Sequence, residues 1–292
     1  MSKVFIIGPK FHYFNMSVER AFRALGFETR VLDYDSPVHP YNWVNTLRYK
    51  FASPKGKISM KELARRPFSE EADKVFQAFQ PDLVFIMNGD MLLPDFLKRW
   101  RGVLPDNTSS GKVAKVVMWL FDAMDNIPFC NENLPVVDAV FCYEQSDIPV
   151  IRQKFNQHVG FLPQAVDEKI YYPIEKTDKS FDIVFAGDIY MNRNASGEQL
   201  NKDYNASRIV LNIHNEQQKD GANPKLYEIC ASGAYQIVDG NPYIEHLFCQ
   251  EEVGIYHNLP ELFERIDDAL SVDKSKNAES ANEAVLSHHT FN

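Results

Sequence analysis

The sequence predicts an α/β fold made of two Rossmann-like domains, the second one abbreviated, and two observations carry this prediction. First, short apolar runs of strand character alternate with amphipathic helical patterns along the 292-residue chain. Second, these runs are continuously apolar, which is typical of strands in a parallel sheet that helices cover on both faces. Right-handed crossovers between such strands produce a Rossmann-like sheet, and two such domains joined by a linker are expected to face a cleft.

The first domain is predicted over residues 1–162. Its strands are predicted at 4–8, 29–33, 82–87, 113–120, 139–143 and 159–162. Its helices are predicted at 17–25, 60–79, 93–100 and 148–155, with a break or fresh start at Pro67. The aromatic segment 36–57 is expected to be irregular. Its part 41–51 is either a surface on which a sugar ring of a substrate stacks, a packed loop or an oligomer contact. The first turn carries no GxGxxG motif, so a standard dinucleotide site is not expected in this half.

A proline-bounded linker is predicted at 163–175, followed by a second domain at 176–292. Its strands are predicted at 181–186, 207–213, 234–238 and 253–256, and its helices at 200–206, 225–230 and 259–270. The polar tail from Ser271 is expected either to fray or to form a helix that docks elsewhere.

The composition is that of a globular protein, with 45% hydrophobic and 13% aromatic residues. The net charge of −9 argues against a general nucleic-acid or membrane-surface binder, while a local basic pocket for one phosphate group remains compatible with it. No apolar run reaches the ~18 residues that a transmembrane helix needs, and no signal peptide is expected. The four cysteines form no CxxC motif and are expected to be reduced core thiols of a cytoplasmic protein.

Polar residues that follow the predicted strands are the candidates for chemistry, because ligands of open α/β sheets bind beyond the carboxyl ends of the strands. In the first domain these are His12, Asn88, Asp90, Asp122, Asp125 and Glu144. We predict catalytic roles for His12 and Asp122, and acceptor-side roles for Asn88, Asp90 and Asp125. The alternatives are an ordinary structural histidine and carboxylates that cap a helix or lie in a solvated loop. The diacid pair in FDAMD has no further ligand near it in the sequence, so no metal is expected.

In the second domain the strand-end candidates are Gly187, Asp188, Arg193, Asn212, His214, Lys225, Glu228 and Asp239. Glu228 lies on a short amphipathic helix that ends at Gly233, where a left-handed backbone conformation is expected. An ionised carboxylate on a rigid helix can accept two hydrogen bonds from a ribose diol, and Arg193 and Lys225 can neutralise a diphosphate. A solvated acid and two ordinary surface cations are the alternatives.

At these residues the second half resembles glycosyltransferases of the GT-B architecture, and specifically their spore-maturation (CgeB-like) group. The resemblance rests on the segments FLPQAVDEKIYYP, FDIVFAGDIYMNR, LNKDYNASRIVLNIH and GANPKLYEICASGAYQIVDG. The first half is similar only in outline, through WLFDAMD. The resemblance implies transfer of a sugar from a nucleoside-diphosphate sugar, such as a UDP-sugar, to a glycan, protein or small-molecule acceptor. It also implies that neither a metal nor another cofactor is required.

Within the resemblance, Glu228 matches the acid that holds the donor ribose, and Arg193 and Lys225 match basic positions near the diphosphate. Asp220 precedes Glu228 by eight positions, as the first acid of an E-x7-E pair does in related retaining enzymes, although chance explains this spacing equally well. Gly187 is the remaining predicted donor-binding residue. The family has further β/α units where only residues 194–198 stand here, so the second domain is either naturally compact or incomplete.

Two other functions remain compatible with the sequence. One is a non-catalytic nucleotide- or glycan-binding protein with the same two domains, and the other is a sugar-nucleotide epimerase. The donor sugar, the acceptor, the stereochemical course and the oligomeric state are left open by the sequence.

Overall fold

A computed structural model describes residues 1–10, 13–34, 43–103, 112–175, 177–185, 197–215, 218–249 and 251–291. The chain divides into two units, Met1–Leu162 and Pro163–Phe291. Each unit contains one parallel β-sheet, so the α/β class predicted from the sequence is confirmed. In the described part of the chain, no helix combines the length and apolarity that a membrane span requires.

The sheet of the first unit has six parallel strands in the order β2-β1-β3-β4-β5-β6. The strands are β1 (Lys3–Pro9), β2 (Glu28–Tyr34), β3 (Leu83–Met87), β4 (Lys115–Leu120), β5 (Ala139–Cys142) and β6 (Val159–Phe161). The helices are α1 (Phe14–Ala24), α2 (Trp43–Phe51), α3 (Pro54–Phe79), α4 (Pro94–Trp100), α5 (Cys130–Asn133) and α6 (Asp147–Phe155). The strand order reverses at β1 and β3, and ligands of open α/β sheets bind at such switch points.

The apolar strands form because both faces of the sheet are covered. Residues 4–7 of β1 are fully buried, and Phe5 belongs to a core that also contains Trp100 of α4 and Phe76 of α3. The rings of Phe76 and Trp100 stack with centroids 5.1 Å apart. Burying such large aromatic side chains supplies much of the free energy that holds helices on a sheet.

The expectation of an irregular segment at 36–57 is wrong for its described part. Residues 43–51 form α2, and α3 begins at Pro54 and runs without interruption through Pro67. Ser53 caps α3 by accepting a hydrogen bond from the backbone N–H of Gly56, at 3.2 Å. The helix continues past Pro67 because its neighbours Ala64 and Phe68 are buried against the core, which outweighs one lost backbone hydrogen bond.

The sheet of the second unit has four described parallel strands in the order β10-β9-β8-β7. These are β7 (Phe181–Phe185), β8 (Ser207–Asn212), β9 (Gln236–Asp239) and β10 (Gly254–Tyr256). The helices are α7 (Glu198–Asn205), α8 (Pro224–Ala231), α9 (Pro242–Leu247), α10 (Leu259–Ser271) and α11 (Ser275–His288). Gly233 follows α8 with φ +70°, as predicted for the residue that ends this helix.

The polar tail forms α11 and docks on α8. Asn282 of α11 donates hydrogen bonds to the carbonyl oxygens of Cys230 and Ala231, both at 2.9 Å. Beyond α11, the chain pairs with the proline-bounded segment that opens the second unit, since the backbone N–H of Val166 donates to the carbonyl of His289 at 2.8 Å. Val166 is fully buried. The two ends of the second unit are therefore fastened to each other.

The cysteines divide into two kinds. Cys130, Cys142 and Cys230 are buried, and burial raises the pKa of Cys142 and of Cys230 to about 12. Cys249 is exposed, so the expectation that all four are core thiols is wrong for this residue. It lies just beyond α9, outside the packed part of the sheet.

Candidate functional site

Side chains from the ends of three strands meet in the first unit. The hydroxyl of Tyr34, at the end of β2, donates a hydrogen bond of 2.6 Å to Oδ1 of Asp90. Lys61 of α3 forms an ion pair with Oδ2 of the same carboxylate. Asn88 follows β3 and donates a hydrogen bond of 2.7 Å to Oδ2 of Asp122, which follows β4. We call these five residues the β3–β4 cluster.

The turn after β3 is fixed by its own backbone geometry. Asn88 has φ +60°, a left-handed conformation that asparagine tolerates better than most residues. Its backbone N–H donates to the carbonyl of Trp119 at 2.9 Å, and its side-chain oxygen accepts from the backbone N–H of Phe121 at 3.1 Å. The Asn88 side chain thus bridges the ends of β3 and β4, and its amide is oriented toward Asp122.

The charges of the cluster are distributed unequally. The Lys61 and Asp90 side chains are only 14% and 9% exposed, so this ion pair is buried. Burial raises the pKa of Tyr34, and the neighbouring Asp90 charge raises it further, so the Tyr34 hydroxyl remains a donor.

Asp122 combines accessibility with a perturbed pKa. The residue keeps solvent-exposed surface, whereas its carboxyl group lies close enough to the sheet edge for burial to raise its pKa. The hydrogen bond from Asn88 and the charge of Lys61 oppose this shift, and the charge of Asp90 adds to it. A reachable carboxylate with a raised pKa is suited to accepting a proton from a hydroxyl group.

The remaining candidates of the first unit lie apart from this cluster or outside the described residues. Asp125 is exposed on the short turn Met124–Asn126 and shares none of the hydrogen bonds of the cluster. Glu144 is buried and accepts a hydrogen bond from the hydroxyl of Ser146 at 2.9 Å. His12 belongs to the residues that the structure does not describe.

In the second unit a network of side chains fixes the start of α8. Asn223 is the N-cap residue, and its side-chain oxygen accepts from the backbone N–H of Leu226 at 3.0 Å. Its side-chain N–H donates to Oδ1 of Asn212, the last residue of β8, at 2.8 Å. Its backbone N–H donates to Nε2 of His214 at 3.1 Å. The helix start is therefore held at the carboxyl end of β8.

His214 links this helix start to the neighbouring strand β9. Its Nδ1 lies 2.9 Å from Oδ1 of Asp239, which also accepts from the backbone N–H of His214 at 2.8 Å. Because Nε2 accepts the hydrogen bond from Asn223, the ring proton lies on Nδ1 and is donated to Asp239. Burial raises the pKa of Asp239, but the hydrogen bonds from His214 lower it more, so Asp239 is a carboxylate.

A fifth residue holds the loop that leads into the helix. Asn241 donates a side-chain hydrogen bond of 2.9 Å to the carbonyl oxygen of Gly221 and itself caps α9. Together with Asn212, His214, Asn223 and Asp239 it forms what we call the α8 cap network. The network directs the N-terminus of α8, with its partial positive charge, toward the carboxyl edge of the sheet, an arrangement suited to binding an anion.

The predicted donor-binding residues of this unit surround that helix start. Lys225 is half-buried in the first turn of α8, and Asp220 is half-buried in the bend that precedes it. Glu228 is buried one turn further on, and its charge adds to burial in raising the pKa of Tyr204 on α7. Gly187 and Arg193 lie outside the described residues.

Among the described residues, no group of three or more His, Cys, Asp and Glu side chains is placed to hold a metal ion. The positive elements that the structure does place beside the α8 site are Lys225 and the helix N-terminus. Both are suited to an anionic ligand.

Sequence reasoning missed several members of both groups. Tyr34 and Lys61 were not candidates, because one ends a strand without a polar motif and the other lies inside a helical pattern. Asn223 and Asn241 were also missed, although each precedes a proline at the first position of a helix, a recognisable capping signal.

One family model matches the second unit. Residues 164–292 match the family model described as "Glycosyl transferase-like". This match and the fold support the prediction of a glycosyltransferase. No curated protein matches the chain.

Solved structures show the same fold over nearly the whole chain. Sucrose-phosphate synthase from Thermosynechococcus elongatus is 9% identical, with a TM-score of 0.66 over 98% of this chain and 95% of that one. Anabaena HepE in complex with UDP-glucose is 9% identical, with a TM-score of 0.62 over 100% and 96%. The E. coli structure described as trehalose-6-phosphate bound with UDP-2-fluoro glucose is 10% identical, with a TM-score of 0.61 over 98% and 96%. The fold is therefore that of the GT-B glycosyltransferases.

Proposed function

We propose that the protein transfers a sugar from a nucleoside-diphosphate sugar, in the first place a UDP-sugar, to a hydroxyl group of an acceptor. The observation that carries the proposal is the α8 cap network, which holds a helix N-terminus beside Lys225 and Glu228. Two structures of the same fold, described above, contain UDP-glucose or a fluorinated analogue of it.

The α8 site accounts for donor binding as follows. Glu228 accepts hydrogen bonds from the ribose hydroxyls, as its match to the family's ribose-binding acid implies. Lys225 and the partial positive charge at the N-terminus of α8 neutralise the diphosphate, both in the bound donor and as it leaves. With these groups present the leaving diphosphate requires no metal ion. Asp220 contacts the donor sugar, and Arg193 and Gly187 complete the site in line with the resemblance.

The β3–β4 cluster supplies the acceptor side. Asp122 is the general base that removes the proton of the attacking hydroxyl, because its raised pKa and its accessibility suit that task. Asn88 orients the Asp122 carboxylate through its 2.7 Å hydrogen bond. Asp90 stays paired with Lys61 and Tyr34 and shapes the cluster, while His12 is the second catalytic candidate.

We also assign the chain to the spore-maturation group of these enzymes, on the segments that resemble this group, and to the cytoplasm, on its four cysteines without a CxxC motif. Two rival functions follow from weaker premises, a non-catalytic nucleotide-binding protein and a sugar-nucleotide epimerase, and the experiments below separate them.

Calorimetric titration with UDP, GDP and UDP-glucose tests donor binding. We expect binding of at least one nucleotide, weakened about tenfold or more in Glu228→Gln because the ribose loses an ionised acceptor. The matched control is Glu264→Gln, which removes an exposed acid of the same unit and leaves the affinity unchanged. Absence of binding to all three nucleotides contradicts the proposal.

Turnover separates transfer from the two rival functions. We expect release of UDP from UDP-glucose in the presence of an acceptor mixture, and loss of this release in Glu228→Gln. A protein that binds the donor without any hydrolysis or transfer is the non-catalytic alternative. Formation of an epimerised sugar nucleotide without an acceptor identifies an epimerase.

A further inference from the structure

Helix α2 exposes a row of large apolar side chains. Trp43, Leu47 and Phe51 recur every fourth residue and therefore lie along one face of the helix. They are 74%, 45% and 80% exposed, and no residue of α2 is buried. Ile58, early in α3, is 50% exposed. Apolar side chains of this size on one helix face indicate a surface that binds something.

Cations flank this row. With ~100° of rotation per residue, Arg48 and Lys50 lie on either side of the apolar face of α2. Lys55 and Lys57 follow at the start of α3, and the ammonium of Lys57 lies 5.4 Å from the ring centroid of Tyr49. The segment 43–66 contains seven Lys or Arg residues and a single acid, although the whole chain carries a net charge of −9. Lys61 and Arg65 are paired with Asp90 and Glu132, which leaves five cations against one acid. The charge of the protein is thus reversed locally.

The opposite side of this region adjoins the β3–β4 cluster. Tyr49 lies on the face of α2 away from the apolar row, and its pKa is raised by partial burial and then by the charge of Asp90. Lys61 of α3 forms its ion pair with the same carboxylate. Helix α2, which exposes the apolar row, and helix α3 therefore both lie beside the β3–β4 cluster.

We propose that the face formed by Trp43, Leu47, Phe51, Arg48 and Lys50, together with the start of α3, docks on an anionic membrane surface. Tryptophan, phenylalanine and leucine between basic residues are the pattern of an interfacial helix that lies in the headgroup layer. The basic flanks are attracted by anionic lipids within a Debye length. Docking by this face brings the β3–β4 cluster close to the headgroups, so the acceptor is a membrane-anchored hydroxyl compound; this second statement rests on the proposed function.

The net negative charge of the whole chain does not prevent one basic helix from docking on an anionic membrane. A charge of −9 argues against a protein that binds membranes over its general surface. This argument does not apply to a helix that combines its own cations with an apolar row, because electrostatic attraction and apolar burial both act locally. Nucleic acid would use the cations but not the apolar row, so the bilayer is the better match.

Trp43 is a built-in probe for this docking. The chain has three tryptophans, and the other two, Trp100 and Trp119, are 0% and 3% exposed. Vesicles of phosphatidylcholine with about one third phosphatidylglycerol should shift the emission of Trp43 to the blue, and brominated lipids should quench it. Phosphatidylcholine alone should bind much more weakly, and salt should weaken the binding. Trp43→Phe should abolish the shift but leave vesicle cosedimentation in place.

Variants of the apolar row test its contribution. We expect Leu47→Ser/Phe51→Ser to lower the partition coefficient at least tenfold while leaving the Trp43 reporter in place. The matched control is Leu25→Ser/Phe263→Ser, which removes a leucine and a phenylalanine elsewhere that are 73% and 62% exposed. Equal losses in the two double variants would overturn the assignment of the docking face to α2.

Variants of the cations test the electrostatic contribution. We expect Arg48→Gln/Lys50→Gln/Lys55→Gln to weaken binding to the anionic vesicles about 100-fold, from roughly fivefold per cation. The control replaces three exposed lysines of the second unit with glutamine, namely Lys169, Lys202 and Lys276. Unchanged binding in the first triple variant would overturn the anionic-lipid assignment.

Two further results would also overturn the proposal. One is the absence of both the blue shift and cosedimentation with the anionic vesicles. The other is a protein dimer that light scattering shows to dissociate in Leu47→Ser/Phe51→Ser, which would mean that a second copy covers the face. Calorimetry with UDP is independent of the α2 face, so failure of donor binding and failure of membrane docking are distinguishable.

Discussion

The β3–β4 cluster and the α8 cap network are built in different ways. In the cluster, the hydrogen bonds join residues 56 and 34 positions apart, Tyr34 to Asp90 and Asn88 to Asp122, and a buried ion pair completes it. In the network, Asn223 reaches His214 over 9 positions and Asn212 over 11, mostly through neutral amide and imidazole groups. The cluster joins residues from Tyr34 to Asp122, whereas the whole network lies within residues 212–241, where its longest contact, His214 to Asp239, spans 25 positions.

This difference explains which half is recognisable. The family model matches residues 164–292, the part that contains the cap network. A site built from neighbouring residues leaves a compact sequence pattern, while a site built from distant strand ends leaves isolated residues. We therefore predict that variants of the α8 cap network change donor binding, whereas variants of the β3–β4 cluster change turnover or the stability of the first unit.

The largest effect is expected for Asp122→Asn. Loss of the general base should lower kcat about 10²- to 10⁴-fold and leave the affinity for UDP unchanged. Since the carboxylate must be deprotonated and burial raises its pKa, the wild-type rate should fall as the pH drops through a value above the usual aspartate range. Steady-state kinetics over a pH series, with calorimetry for UDP, measures both.

Asp95→Asn is the matched control for this substitution, because it removes a carboxylate of the same unit that is 71% exposed and has no predicted role in the site. It should leave kcat unchanged. Equal losses in both variants, or a loss of UDP affinity in Asp122→Asn, would remove the division of roles between the two groups.

The second effect concerns the buried ion pair. Lys61→Met leaves Asp90 charged and without its cation at a side-chain exposure of 9%, so the first unit should lose about 3–5 kcal/mol of stability. Combining it with Asp90→Asn should restore much of the loss. Urea unfolding followed by the fluorescence of the buried Trp100 and Trp119 reports on this unit.

Lys98→Met serves as the comparison, since the Lys98–Asp95 pair is exposed at 39% and 71%. It should cost less than about 1 kcal/mol. If the two lysine variants were equally stable, burial would not explain the contribution of the Lys61–Asp90 pair to the free energy of unfolding.

Much of the fold could be predicted from the sequence because the strands are continuously apolar. The pattern at 4–8 and at 207–213 needs no tertiary information. The observed strand Lys3–Pro9 is longer by one residue at each end, and Ser207–Asn212 is shorter by one residue at its end. Helix α2 could not be predicted, since its exposed aromatic residues match no buried face of a helix.

In the candidate sites too, residues that are brought together only by tertiary packing could not be predicted from the sequence. Glu228 and Lys225 were visible because they lie on one helix beside a glycine stop. Lys61 was not, because only the packing of α3 on the sheet brings it to Asp90. His214 was a strand-end candidate, but its function as an acceptor for the helix cap depends on a tautomer that no sequence pattern encodes.

A third, smaller effect separates capping from donor binding. Asn223 and Asn258 each cap a helix through a 3.0 Å hydrogen bond from a backbone N–H, those of Leu226 and Glu261. Replacing either by alanine should cost about 1 kcal/mol of stability. Only Asn223→Ala should also weaken UDP binding, because only this cap orients the α8 site. Calorimetry and thermal unfolding of both variants check this, and equal UDP affinities would contradict it.

The smallest effect is expected for an exposed charge pair of the second unit. It shows whether such a pair contributes as much to stability as the buried pair of the first unit. His257 is exposed and lies 2.7 Å from Oε1 of Glu245 and 3.2 Å from Oε2 of Glu261. The hydrogen bond with Glu245 raises the pKa of His257; burial opposes this shift, and the hydrogen bond with Glu261 adds to it.

Because the folded state has the higher pKa, the stabilisation is complete below the unfolded value of about 6.5 and is lost as the pH rises through the folded value. NMR titration should show the pKa of His257 falling toward that unfolded value in Glu245→Gln. The stability change itself should be close to the error of thermal unfolding, since solvent screens an exposed pair. A large loss at acidic pH would show that exposed pairs also hold the second unit together, and the contrast with Lys61 and Asp90 would then fail.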